Sequence, residues 1–283
     1  MYERILIPTD GSRDARRATA YGLDLAAQTE ASVHILSVVD TRLTELSGSD
    51  GVESILDAME ASCREAVDAA AAGSDDVTDV SRTVRHGTPV EEILSCADEH
   101  GVELVVMGTK GSADSRLGST AERVVALADT PVLTVGSSAD PPSLATLNDI
   151  VVPTDGSEPA ERAAEHALRF AELFGATLHT VYVIDESVYD LKDAPRSIVG
   201  LLREGGERAT EAALQGAEAV NIRSTARVLR GRPTQEILDY VEGVDADLVV
   251  MGTRGRSGLP EHLLGSTTRR VVRDAKRPVL SVS

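Results

Sequence analysis

At 283 residues the chain is long enough for two domains, and its 42% hydrophobic content supports packed cores rather than disorder. Acidic residues outnumber basic ones 46 to 28, a formal net charge of −18, which argues against nucleic acid or an anionic membrane surface as a partner. Five Tyr, two Phe and no Trp leave little material for base-stacking platforms or aromatic sugar sites.

In chain order, Met1-Tyr2-Glu3-Arg4 leads directly into a strand-like run rather than a leader, and no later stretch approaches eighteen apolar residues. A cytoplasmic protein is therefore expected. The opening Ile5-Leu6-Ile7-Pro8-Thr9-Asp10-Gly11-Ser12 returns as Ile150-Val151-Val152-Pro153-Thr154-Asp155-Gly156-Ser157, an offset of 145. The same offset carries Ala31-Ser32-Val33-His34 onto Ala176-Thr177-Leu178-His179, and Asp40 onto Asp185. Val105-Val106-Met107-Gly108-Thr109-Lys110-Gly111 returns as Val249-Val250-Met251-Gly252-Thr253-Arg254-Gly255 at offset 144, whereas the closing Pro131–Val135 and Pro278–Val282 lie 147 apart. The chain is thus written twice. We expect domains over 1–136 and 148–283, with 137–147 as a Gly/Ser/Pro-rich linker.

Within the second half, strand and helix signals alternate. Ile150–Val152 is a short apolar run, and Ser157 stands as an N-cap before a helical pattern from about Pro159 to Phe174. A strand is expected over Thr177–Val183, a helix around Ile198–Val220 and an alternating strand over Ile222–Leu229. Next come a helix over Thr234–Val241 with Pro233 in its first turn, and a strand over Leu248–Met251. A glycine-rich loop, a helix from about Ser266 to Ala275 and a last strand over Val279–Val282 complete the half. Strands written as apolar runs suit a parallel sheet covered on both faces. Five strands alternating with four helices, twice, give an α/β protein of two tandem, doubly wound five-stranded parallel-sheet domains.

Ligands in such sheets bind beyond the carboxyl ends of the strands. The first strand of the second half ends in Pro153-Thr154-Asp155-Gly156-Ser157. The fourth ends in Gly252-Thr253-Arg254-Gly255, followed nine residues later by Gly265-Ser266-Thr267-Thr268 opening a helix. Glycines admit close backbone approach, and free N–H groups at a helix start attract anions. Asp155 suits a ribose or base edge, and the apolar end of the second strand, Val183-Ile184-Asp185, suits the flank of a base. The pattern is neither G-x-G-x-x-G nor a P-loop, since no Gly-Lys-Ser/Thr occurs.

The Gly252-x2-Gly255-x9-Gly265-Ser266 spacing, the Pro-Thr-Asp-Gly-Ser opening and the closing Pro-Val-Leu-x-Val strand resemble the universal stress protein family, in its ATP-binding branch. The resemblance covers nearly the whole chain as a tandem pair. It implies an adenine-nucleotide alpha-hydrolase-like fold with strand order 3-2-1-4-5, and ATP (or ADP or AMP) as ligand. By the same resemblance Pro153, Thr154, Asp155 and Val183 hold base and ribose, while Gly252, Gly255, Gly265, Ser266 and Thr267 hold phosphates. Met251, Thr253, Arg254, Arg256 and Thr268 complete that candidate set. In the first half the matching residues are Pro8, Thr9, Asp10, Val38, Met107, Gly108, Lys110, Gly111, Gly118, Ser119 and Thr120. Mg²⁺ enters, if at all, through the phosphates and not through a set of protein ligands. A stress or regulatory sensor is expected, with protein partners unknown. The alternatives are a slow ATPase or a structural pseudo-dimer that binds no nucleotide. The family pairs last strands, so Val132–Val135 and Val279–Val282 are expected to pair within the chain as an intramolecular pseudo-dimer. Further association into a homo-dimer stays open.

The first half departs from the motif. Only six residues separate Gly111 from Gly118, and three residues span up to roughly 10 Å when extended. Charge points the same way: 1–140 sums to −14 and 141–283 to −4, while Gly252–Val282 alone is +5. We expect the second half to be the better site. Catalysis is not expected, because no credible base or acidic metal pair accompanies the loop. His34 and His179 read as sheet-packing residues, Asp40 and Asp185 as turn formers, and Cys63 and Cys96 as buried, inert thiols. Arg269, Arg270 and Arg273 read as surface charges on the last helix. Three lysines against 25 arginines, on so acidic a chain, suit a cytoplasm of molar salt or a GC-rich genome.

Overall fold

The computed structural model describes residues 1–43, 52–110, 117–136, 147–186, 196–255 and 263–283. The chain divides into two compact units, Met1–Pro141 and Pro142–Ser283. Of the expected linker only Leu147 lies among the described residues, and the loops Glu45–Ser49 and Ser187–Pro195 lie outside them.

Unit 1 runs β1 (Arg4–Pro8), α1 (Arg13–Thr29), β2 (Ser32–Asp40), α2 (Val52–Ala71), β3 (Val80–Gly87), α3 (Pro89–Glu99), β4 (Leu104–Gly108), α4 (Ser119–Leu127) and β5 (Val132–Val135). Unit 2 repeats it as β6 (Asp149–Pro153), α5 (Glu158–Phe174), β7 (Thr177–Asp185), α6 (Arg196–Ala219), β8 (Ser224–Gly231), α7 (Pro233–Gly243), β9 (Leu248–Gly252), α8 (Ser266–Asp274) and β10 (Val279–Val282). Within each unit the strands are parallel, in the order third, second, first, fourth, fifth. This is the order that the family resemblance implies.

Burial explains the strand compositions. β4, β6 and β9 are apolar runs with almost every residue buried, as helices on both faces demand. β3 and β8 lie at an edge of their unit, and several of their side chains reach solvent. Phe170, Ile5, Leu6, Ile7, Leu104, Ile150 and Leu178 are fully buried. The helices start and stop where local chemistry dictates. Pro89 and Pro233 occupy the first turns of α3 and α7, where a missing N–H leaves no bond unmade. Gly175 ends α5 at φ 70, and Glu30 ends α1 in the same left-handed region at φ 56.

The first helices of the two units begin differently from one another. Ser12 caps α1, its Oγ accepting from the Ala15 amide at 3.3 Å. Ser157 occupies the N-cap position of α5, but its side chain makes no capping bond and its Oγ is buried without a partner among the described residues. Its amide instead donates to Asp155 Oδ1 at 3.0 Å. The Asx turn, rather than the hydroxyl, sets the entry of α5.

The remaining singled-out residues fall into structural roles. His179 bridges Asp149 Oδ1 at 2.8 Å and the Tyr240 hydroxyl at 3.2 Å. His34 bonds Ser81 Oγ at 2.8 Å and stands 4.4 Å from the His100 ring. Asp40 accepts from the Arg42 amide and side chain at the end of β2, which holds its carboxyl below the usual range and forms the expected turn. Cys96 is buried, and burial pushes its thiol up, away from the reactive thiolate. Cys63, in contrast, is only half-buried, on the same face of α2 as the buried Val67 and Ala70. Arg273 pairs with Asp274 at 2.7 Å. No helix among the described residues is long and apolar enough to cross a membrane.

Two close approaches fix the geometry around the strand ends. A Cβ on Gly108 would lie 2.7 Å from the Asp14 carbonyl carbon and 2.8 Å from the Ala15 nitrogen. One on Gly252 would lie 2.9 Å from the Pro159 carbonyl carbon. Gly108→Ala is therefore expected to lower stability by about 1–3 kcal/mol, read from the denaturant midpoint at constant salt. Gly205, in the interior of α6 with nothing near its missing Cβ, makes the opposite case. Gly205→Ala is expected to raise stability by about 1 kcal/mol in the same assay.

A pH dependence follows from His166 on α5, whose imidazole is pushed down to about 4 by burial, with Arg169 adding to the effect. The unfolded chain takes up that proton near pH 6.5 while the folded chain resists until about pH 4. Stability of unit 2 is thus expected to fall as pH drops from 6.5 toward 4. His166→Gln should flatten the loss between pH 7 and 5, above most carboxylate titrations, when midpoints are compared across that range.

Candidate functional site

The strand order reverses between β6 and β9, so the loops after these strands diverge to opposite faces and leave a crevice beyond their carboxyl ends. A cavity of about 400 Å³ occupies that crevice in unit 2, within the range of small-molecule sites. Its walls come from the ends of β6, β7 and β9, from α6 and α7, and from the start of α8.

Most residues expected of the second half converge there: Pro153, Thr154, Asp155, Val183, Met251, Gly252, Arg254, Gly255, Gly265, Ser266, Thr267 and Thr268 all line the cavity. Thr253 does not. It is buried behind the lining, its amide donating to the Val282 carbonyl at 2.8 Å. Arg256 lies outside the described residues. Ile184 and Asp185, at the strand end expected to flank a base, line it too, and the wall also contains residues that the sequence did not supply: Val181, Tyr182, Leu202, Pro233 and Ile237. Pro233 and Ile237 stand four apart in α7, on one helical face, directly after the positive-φ Gly231. That spacing was the available signal. Leu202 carried none, since α6 presents it only through tertiary placement.

One end of the cavity is made for anions. Gly265 donates its amide to Thr253 O at 2.9 Å, pinching the nine-residue loop shut at its base, and α8 starts at once. Gly265 at the N-cap has no side chain with which to cap α8, and no acidic residue sits in the helix's first turn. Among the described residues the first-turn N–H groups make no other bond, and their partial positive charge lies at the cavity beside Ser266 and Thr267. Thr268 donates its hydroxyl to Gly252 O at 2.8 Å, tying the helix to the end of β9. Space is tight in this cradle: a Cβ at Gly265 would come 3.1 Å from Thr253 O, and one at Gly255 would push the Asp155 carboxylate aside. The lining also holds an apolar set, Val183 and Ile184 at the end of β7 with Pro233 and the buried Ile237 of α7. The β6 turn is held rigid by Gly156 N to Thr154 Oγ1 at 3.1 Å and by the Ser157–Asp155 bond.

Unit 1 builds the same frame. Pro8, Thr9 and Asp10 follow β1, with Gly11 N to Thr9 Oγ1 at 3.3 Å and Ser12 N to Asp10 Oδ1 at 3.0 Å. Val38 lies on β2, and Met107 and Gly108 end β4. Lys110 follows, its carbonyl accepting from Ser12 Oγ at 3.3 Å. Gly118 N closes the loop base on Thr109 O at 2.8 Å, and Ser119 and Thr120 open α4. Gly111 lies outside the described residues. The first turn of α4 differs from that of α8 in carrying Glu122. No cluster of three or more metal-capable His, Cys, Asp or Glu occurs among the described residues.

Comparison with known proteins agrees with this architecture. The family model described as "Universal stress protein family" matches residues 1–136 and again 146–283. Over its whole length the chain is 26% identical to a universal stress protein of Mycolicibacterium smegmatis, covering 98% of this chain and 96% of that one. Universal stress protein MJ0531 of Methanocaldococcus jannaschii is 40% identical over 136 residues, 47% of this chain and 80% of its own. The crystal structure of a universal stress protein from Archaeoglobus fulgidus superposes with a TM-score of 0.73 at 24% identity, covering 99% of this chain and 98% of that one. Twice matched by the family model and twice folded into the same five-stranded unit, the chain is a tandem member of the universal stress protein family.

Proposed function

We propose that unit 2 binds an adenine nucleotide, ATP in the first instance, with ADP and AMP as weaker versions of the same ligand. The observation that carries this reading is a single cavity whose lining holds both an uncapped helix start and an apolar set. The N–H groups of Ser266 and Thr267 and the glycine backbone at Gly252, Gly255 and Gly265 receive the phosphates. Arg254, at the cavity wall, adds positive charge. Asp155 accepts from the ribose hydroxyls, and Val183 with Ile237 encloses the base. Mg²⁺ travels with the phosphates.

The protein acts as a nucleotide-responsive regulator rather than a catalyst. Among the described residues, the glycines, Ser, Thr and Arg of the lining supply positioning and charge, and Asp155 is assigned to the ribose rather than to activating water. Ligand binding acts by biasing conformation or partner choice. Unit 1 is the weaker site. The last strands β5 and β10, each with one hydrogen-bonding neighbour inside its own unit, are proposed to pair with one another, and 137–147 to link the units.

Calorimetric titration with ATP and Mg²⁺ in high salt tests the reading. One site per chain is expected, with Gly265→Val weakening it at least tenfold and Gly118→Val leaving it unchanged. Two equal sites would contradict the asymmetry, and no heat of binding in the unsubstituted protein would overturn the nucleotide reading.

A further inference from the structure

The two frames differ at a buried position behind the end of the fourth strand. In unit 1 the second residue of α1 is Asp14, only 4% exposed. Its Oδ2 accepts from the Thr109 hydroxyl at 3.1 Å, and its Cβ lies 2.9 Å from where a Cβ on Gly108 would stand. In unit 2 the same place is taken by Pro159, whose Cβ stands 3.0 Å from the corresponding point at Gly252. Both residues suit a first helical turn: aspartate by its charge, proline by its fixed φ. Their electrostatic consequences are opposite. Asp14 puts a carboxylate directly behind the end of β4, against Thr109 and Gly108, where little water screens it. Pro159 puts nothing there. The acidic residues in the first turn of α5, Glu158 and Glu161, are both exposed, and Glu158 pairs with Arg162.

We propose that this position is the determinant of polyphosphate binding in each unit: Asp14 behind Gly108 and Thr109 bars nucleoside polyphosphates from unit 1, and Pro159 behind Gly252 admits them to unit 2. The inference rests on the nucleotide reading of unit 2 and adds a specific cause to its asymmetry. Loop length alone does not separate the units at the base of the loop, because Gly118 N to Thr109 O and Gly265 N to Thr253 O close it identically. The sign of the buried charge beneath that base does separate them. A ligand without phosphates is indifferent to it.

Charge-isostere pairs test the proposal in the full chain. Pro159→Asp is expected to lower ATP affinity at least tenfold by calorimetry, while Pro159→Asn keeps it within about threefold, and adenosine binds the two variants alike. Asp14→Asn, made in a chain whose unit 2 site is disabled by Gly265→Val, is expected to gain a measurable ATP site in unit 1. Thermal unfolding of each variant establishes that it is folded. Equal ATP affinity of Pro159→Asp and Pro159→Asn, an equal fall for adenosine, or silence of the Asp14→Asn chain each overturns the assignment. Absence of ATP binding in the unsubstituted protein is a different result, which overturns the nucleotide reading itself.

Discussion

The fourth strand of each unit ends on a glycine pressed directly against the first turn of the first helix, and much of the site's geometry follows from that contact. Gly108 and Gly252 leave no room for a Cβ, so strand and helix meet backbone to backbone. This approach sets where the following loop begins and where its base closes, at Thr109–Gly118 and Thr253–Gly265. It thereby sets where the last helix presents its free N–H groups. A parallel sheet whose order reverses at this point supplies the crevice, and the glycine contact makes it shallow enough for the backbone to line it.

The residues behind the contact are as consequential as those in front of it. In a crevice lined mainly by backbone, a ligand's charge is read by fixed dipoles and by whatever ionic group is buried near them. Unit 2 sets the start of α8 and Arg254 at its cavity. Unit 1 sets Asp14 and Glu122 about the same frame. In the proposal above, duplicated sheets diverge in ligand preference through a few side chains, with the backbone course left intact.

Much of this was legible in the sequence for a physical reason. Buried parallel strands are written as apolar runs, and the helices between them as periodic segments bounded by Pro, Gly and Ser. The duplicated Pro-Thr-Asp-Gly-Ser and Gly-x2-Gly segments lie at strand ends because only there does the chain turn tightly enough to need them. What escaped depends on tertiary placement. Leu202 reaches the cavity only because α6 lies over β7, and Thr253 turns away from it because its amide completes the β9–β10 ladder. Ser157 sits at an N-cap yet its hydroxyl makes no capping bond, whereas Ser12, in the same Asx turn, makes one, a difference that residue type does not decide. Cys63 shares its residue type with Cys96 but not its burial, one being half-buried on α2 and the other in the core. The match of Asp14 with Pro159 was visible as an alignment. Its meaning required the distance to Thr109.

A crystal structure of the full chain grown with ATP and Mg²⁺ tests the central claim most directly. The account predicts a triphosphate running from Gly255 to the amides of Ser266 and Thr267 in unit 2, a base between Val183 and Ile237, and no nucleotide above Gly108. Nucleotide bound in the Gly108–Gly118 loop, or bound to unit 2 with its phosphates pointing away from α8, would contradict it.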